Sequence, residues 1–152
     1  MEQWFKDRFH PRARVGGEDW FGQHYVAGEF LPFYVPRPVM PQIEEEDYPD
    51  FIEFAASQGV EILVRYHEPS LLHPHQRLDK LHAERMPPEV RRKTIFASMD
   101  LYILDGNHRW MLHVQERSVV PCYQIKLPFE EAIALMFAFP KTYALENNYG
   151  KD

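Results

Sequence analysis

The chain has 152 residues and a formal net charge of −6. This length is enough for one compact domain with a buried core and is short for two. The acidic balance excludes a global positive field of the kind that steers nucleic acids to a protein. Any nucleic-acid contact would therefore need a local basic patch.

The single cysteine excludes an internal disulfide framework and is typical of a reducing compartment. No apolar run reaches the length of a membrane span, and residues 1–4 do not begin a signal peptide. We therefore expect a cytoplasmic protein with no membrane partner.

Residues 1–43 mix aromatic residues with glycine and proline, without a sustained helical or strand period. So many aromatic side chains are unusual in a solvated tail, and we expect an irregular N-terminal arm that packs on the core. The same arm could form a homodimer surface. We expect the main domain over residues 44–140 and a polar, frayed tail over residues 141–152.

The first regular elements in the sequence are a helix and a strand. Asp47 and Pro49 are typical of a helix start, and Gly59 is expected to end that helix. Residues 60–66 follow as a strand, and their apolar character predicts a place at or near the centre of a sheet.

A loop rich in histidine and proline covers residues 67–76, and the spacing of apolar residues predicts an amphipathic surface helix over 77–86. A short helix should then end near residue 93. The only concentrated basic cluster of the sequence lies here, formed by Arg85, Arg91, Arg92 and Lys93. This basic cluster is either a solvated face or a contact for a polyanion such as DNA.

Residues 99–113 are the most informative stretch. The apolar run at 101–104 predicts a buried strand, and residues 110–115 predict a helix. Between them lie five polar or glycine residues, Asp105, Gly106, Asn107, His108 and Arg109. Another strand is expected over 118–125, and a nearly all-apolar helix follows from residue 128 to 137.

The junction between this strand and this helix predicts an anion site. The first N–H groups of a helix have no acceptor within the helix, and the helix dipole is positive at that end. Gly106 allows the backbone to approach a ligand, while Arg109 offers a planar fork and His108 a titratable donor. Together these groups favour phosphate as the ligand.

The order of elements over residues 60–125, with Asp-Gly-Asn-His-Arg between a strand and a helix, resembles the ParB/sulfiredoxin superfamily. The motif is similar to the Asp-Gly-His-x-Arg form of the free-serine kinase branch. Residues 72–76, Leu-His-Pro-His-Gln, are similar to the Leu-x-Pro-x-Gln loop of many ParB-like domains. The resemblance implies an α+β fold, with a small mixed sheet flanked by helices, whose Gly-x-x-Arg loop binds the phosphates of ATP or CTP.

This sequence differs from the superfamily's known motifs at some positions, and these differences reduce the number of functions that the resemblance implies. Asn107 stands where sulfiredoxins carry their catalytic cysteine and where chromosome-partitioning ParB proteins carry a glutamate. The chain also lacks a recognisable third ParB motif. The implied function is binding of ATP or another nucleotide, either in a kinase or NTPase acting on a hydroxyl acceptor or in a non-catalytic module that binds DNA or protein.

In the enzyme hypothesis, the loop residues Gly106 to Arg109 hold the nucleotide phosphates, and Mg²⁺ bridges the phosphates to Asp105. Asp105 or Glu68 would act as general base, with His108 as a further candidate catalytic residue. The loop residues that would close the site from the opposite side are His75 and Gln76.

A purely structural role for the motif is the alternative. Asp105 would then cap the helix that follows a tight turn, His108 would be a surface residue, and Arg109 would form an ion pair with an acid such as Glu116.

Overall fold

The computed structural model describes residues 39–74 and 84–145. They form a mixed α+β structure with one four-stranded sheet, as the sequence predicts. The strands are β1 (Ile62–His67), β2 (Ile95–Ala97), β3 (Ile103–Asp105) and β4 (Val120–Ile125). Their order in the sheet is β1-β4-β2-β3.

Four helices accompany the sheet in the described residues. They are α1 (Tyr48–Ser57), α2 (Pro88–Arg91), α3 (Asn107–Glu116) and α4 (Phe129–Ala138). Short 3₁₀ turns cover Glu45–Asp47 and Pro69–Leu71. The predicted helices are confirmed within a few residues, except that most of the helix expected over 77–86 lies outside the described residues.

The sheet is mixed, and each face has its own core. β4 pairs antiparallel with β1 and parallel with β2, while β2 pairs antiparallel with β3. One face packs against α1 and α4 through a buried cluster that includes Phe51, Phe96 and Ile133. The opposite face packs against α3 through a second cluster that includes Ile95 and Met111. The sheet therefore lies between two helical layers.

The prediction of a central position for the first strand is wrong. β1 lies at one edge of the sheet, where Val64 is 58% exposed and Tyr66 is 69% exposed. Apolar residues at both alternating positions are typical of a central strand, but they do not determine which neighbours a strand acquires.

β2 is a strand that the sequence analysis does not contain. Ile95, Phe96 and Ala97 are all fully buried, because β2 lies between β4 and β3. Three residues are too few to show a strand period, and both partners of β2 come later in the chain.

Both ends of the described chain meet beside the sheet. Gln42 and Tyr143 form a pair of backbone hydrogen bonds, with N···O distances of 2.7 and 3.0 Å. Met40 and Ala144 are buried, so residues 141–145 pack on the core and differ from the expected frayed tail. The rest of the predicted N-terminal arm, residues 1–38, lies outside the described residues, and so does the rest of the tail, residues 146–152. The homodimer surface predicted for the arm is therefore not described either.

No helix in the described part of the chain has both the length and the apolar character needed to cross a membrane.

Gly106 makes the connection from β3 to α3 possible. Its φ of 107° lies in the left-handed region, and the Trp110 N–H donates to its carbonyl at 2.8 Å, so α3 begins at Asn107. A Cβ atom at this position would approach Ile95 Cβ to 2.9 Å and Arg109 Nη2 to 3.1 Å. The connection thus requires glycine both for its conformation and for its close contact with β2.

We predict that Gly106→Ala destabilises the protein by about 3 kcal/mol or more, since it combines backbone strain with overpacking against Ile95. Gly59→Ala is the matched control, because Gly59 also has a positive φ, 78°, but nothing within 4 Å of an added Cβ. That control should lose only about 1–2 kcal/mol. Urea denaturation measures both changes, and equal losses would contradict the packing argument.

Candidate functional site

A buried ion pair spans the junction between β3 and α3. The Arg109 guanidinium is 7% exposed, and its Nη2 lies 3.4 Å from Oδ2 of Asp105, whose side chain is 16% exposed. Arg109 Nη1 also donates to the Thr94 carbonyl at 3.3 Å. Because Asp105 ends β3 and Arg109 lies in the first turn of α3, the pair holds the strand end and the helix start together across Gly106.

Tyr48, the first residue of α1, contacts this ion pair. Its phenol is 5% exposed and forms a hydrogen bond with Arg109. Burial raises the pKa of Tyr48 to about 12, and the negative charge of Asp105 acts in the same direction, while Arg109 opposes the shift. The phenol is therefore a neutral hydrogen-bonding group at physiological pH.

A cavity of about 180 Å³ opens at the start of α3, and we name it the α3 cavity. It lies between the motif, the end of α2 and the paired segments around Gln42 and Tyr143. Its polar lining consists of the motif residues together with groups from those other segments: Gln42, Glu44, Tyr48, Lys93, Asp105, Gly106, Asn107, His108, Arg109 and Tyr143.

The two cations of the lining have different surroundings. Arg109 is almost fully buried and is paired with Asp105. Lys93 is partly exposed, and its ammonium group forms no ion pair within the described residues. On the opposite wall, Glu44 accepts a hydrogen bond from the Tyr143 hydroxyl at 2.7 Å. Lys93 is therefore the cation that a ligand could neutralise, whereas Arg109 already neutralises Asp105.

The structure brings together six of the predicted site residues, the five of the motif and Lys93 of the basic cluster, and separates others from them. Residues 105 to 109 of the motif all line the α3 cavity. Glu68 is exposed and does not line it. The carbonyl of Pro69, the residue after Glu68, accepts a hydrogen bond from the Trp110 indole N–H at 2.7 Å, so the chain here passes beside α3 without entering the cavity lining. His75 and Gln76 lie outside the described residues.

Two details of the structural alternative are wrong. The N-cap of α3 is Gly106 without a side-chain cap, so Asp105 does not cap the helix. The ion-pair partner of Arg109 is Asp105, while Glu116 lies 3.7 Å from Arg91. The underlying idea of an ion-paired Arg109 nevertheless describes its surroundings correctly.

The basic cluster is divided between two depressions. Lys93 lines the α3 cavity, whereas Arg91 and Arg92 line a second depression of about 410 Å³ near the end of α3. Arg85 is exposed. The cations at the end of α2 and just after it therefore line two different depressions.

The metal prediction concerns Asp105 alone. Among the described residues, no group of three or more His, Cys, Asp or Glu side chains is placed to hold a metal ion. Asp105 and Glu44 both line the α3 cavity, and Mg²⁺ commonly uses one or two protein carboxylates together with phosphate oxygens. The donor set thus suits a magnesium ion that arrives with a phosphate ligand better than a dedicated protein metal site.

The part of the cavity lining that is distant from the motif in sequence was not predicted. Gln42, Glu44, Tyr48 and Tyr143 are brought to it by the docking of α1 and by the pairing of residue 42 with residue 143. No local pattern marks these residues, because their placement depends on contacts distant in sequence.

Comparison with known proteins does not identify a family for this chain. No family model, no curated protein and no solved structure matches the chain. The ParB/sulfiredoxin resemblance therefore rests on the sequence motif and the order of elements.

We predict that Tyr48 makes the protein less stable at high pH. Its folded-state pKa of about 12 lies above the ordinary value of 10.0, so the stability that Tyr48 contributes is complete below pH 10 and is lost as the pH rises through 12. The loss should reach about 2–3 kcal/mol. Chemical denaturation between pH 9 and 12 measures it.

Tyr48→Phe should remove most of this pH dependence. Tyr66→Phe is the control, since Tyr66 is 69% exposed and its substitution should leave the pH dependence unchanged. A Tyr48→Phe variant with the wild-type slope would show that Tyr48 does not titrate as described.

Proposed function

We propose that the α3 cavity binds the phosphate groups of a nucleotide, with ATP as the first candidate, on a ParB/sulfiredoxin-like fold. One observation carries the proposal: a polar cavity opens at the start of a ten-residue helix, with Lys93 on its wall and His108 in the first turn. An ammonium group and a helix N-terminus both favour a bound anion.

The buried ion pair gives Arg109 a different role from the one implied by the motif. Its guanidinium contacts Asp105, the Thr94 carbonyl and Tyr48. We assign Arg109 to positioning: it holds Gly106 and the start of α3 in place, while Lys93 and His108 contact the phosphates. This assignment differs from direct Arg recognition of phosphate, in which the planar fork faces the ligand.

The size of the cavity limits what it can enclose. Sites for drug-sized ligands typically have volumes of about 300–1,000 Å³. The α3 cavity, at about 180 Å³, suits a phosphate group or a short polyphosphate. The nucleoside would then lie outside the cavity, so the protein should distinguish ATP, CTP and GTP weakly.

We further propose that the same cavity supports phosphoryl transfer or NTP hydrolysis. Asp105 would hold a Mg²⁺ ion that neutralises the phosphates, and His108 would contact the transferred group. Glu68 is a poor general base for the same reaction, because its side chain is exposed and does not line the α3 cavity.

The exposed arginines support a second candidate, a non-catalytic module that binds DNA or an acidic protein. Arg85 and Arg92 are exposed and form no ion pair within the described residues. Such cations contact phosphates without reading sequence, and the resulting affinity falls steeply with salt.

Thermal unfolding with ATP, CTP or GTP, each with and without magnesium, tests the proposal. A nucleotide at 100 times its dissociation constant should stabilise the folded state by about 2.7 kcal/mol. Lys93→Gln should abolish this stabilisation without lowering the melting temperature of the free protein, since Lys93 forms no ion pair in the described structure. Arg109→Ala is unsuitable as the first variant, because it would leave Asp105 buried and unpaired.

Lys126→Gln is the matched control. Lys126 is exposed, lies outside the α3 cavity and, within the described ranges, pairs with Glu61 alone at 3.5 Å, so nucleotide stabilisation should persist in this variant. No stabilisation of the wild type by any nucleotide would overturn the proposal. Salt-sensitive DNA binding that is lost in an Arg85→Gln, Arg92→Gln double variant would favour the second candidate.

A further inference from the structure

β1 has an open edge in the described sheet. Among the described strands its only neighbour is β4, and the Glu61 carbonyl accepts a hydrogen bond from the Lys126 N–H at 3.0 Å. Backbone groups alternate in direction along an antiparallel strand, so those of Ile62, Val64 and Tyr66 face away from β4. These groups can pair with another strand.

Exposed apolar side chains lie beside this open edge. Val64, Tyr66 and Val119 are 58%, 69% and 50% exposed. Tyr66 is opposite Pro121 in the β1/β4 register, and alternate residues share a face, so all three lie on the same face of the sheet. Exposed apolar side chains beside an open strand edge are typical of a contact site.

The charges of β1 indicate which strand can pair with it. Arg65 is exposed and forms no ion pair within the described residues; its guanidinium only donates to the adjacent Val64 carbonyl at 3.3 Å. A lone arginine on an edge strand opposes pairing with an arbitrary strand. It favours a strand that presents an acid opposite it.

β1 is itself such a strand. Glu61 lies just before its first residue, whereas Arg65 and His67 lie in its second half, and all three are on the same face. Antiparallel pairing of two copies brings Arg65 toward the partner's Glu61 and Glu61 toward the partner's Arg65. Parallel pairing would instead bring like charges together, which is destabilising.

We propose that this edge is an interface between two copies of the chain, which pair antiparallel through β1 about a twofold axis. The two four-stranded sheets then form one continuous sheet, in which Val64 of each copy lies opposite the partner's Ile62. The interface lies apart from the α3 cavity, so it does not depend on the proposed function.

Sedimentation velocity of the full chain over a concentration series tests the interface. The wild type should show a dimer whose fraction rises with concentration. Arg65→Glu should weaken dimerisation at least tenfold, because it places a glutamate near the partner's Glu61. The double variant Glu61→Arg, Arg65→Glu, made together with Lys126→Gln to remove the cation that lies 3.5 Å from Glu61, should restore the dimer, since it reverses both charges and keeps them complementary.

Arg92→Glu carries the same charge change as Arg65→Glu at an exposed position outside β1, and it should leave the dimer intact. A wild type that stays monomeric at all concentrations overturns the proposal. So does a dimer that persists in Arg65→Glu, or one that the double charge reversal fails to restore.

Discussion

The ion pair between Asp105 and Arg109 is the interaction on which the rest of the candidate site depends. Both groups are largely buried, so loss of either partner would leave a charge that water cannot fully solvate. The pair fixes the geometry of the turn at Gly106, and Thr94 and Tyr48 attach the same guanidinium to the start of β2 and of α1. One side chain thereby connects three segments that are distant in sequence.

Packing around this ion pair produces the α3 cavity. The close approach of Gly106 to Ile95 brings the start of α3 against β2, and Lys93 lies just before that strand. The pairing of residues 42 and 143 supplies the facing wall. Lys93 and the N-terminus of α3 thus both line the small polar α3 cavity, and the buried Arg109 helps to position them.

Local features of the fold could be predicted from the sequence, whereas the long-range ones could not. The strand, glycine and helix around residues 101–115 are adjacent in the chain, so hydrophobic pattern and turn chemistry were sufficient to locate them. α3 begins at Asn107, three residues before the predicted start at Trp110. The start was misplaced because Asn107 and Arg109 are buried polar residues, which a hydrophobicity pattern assigns to a loop. The edge position of β1 and the existence of β2 depend on partners that no local pattern specifies.

Nuclear magnetic resonance of the ¹⁵N-labelled chain titrated with magnesium ATP tests the central claim most directly. The account predicts saturable shifts concentrated in the backbone amides of Gly106, Asn107 and His108 and extending to Lys93, since these groups surround the proposed phosphate position. Shifts that are absent, or that are confined to Arg91 and Arg92 at the second depression, would contradict phosphate binding in the α3 cavity.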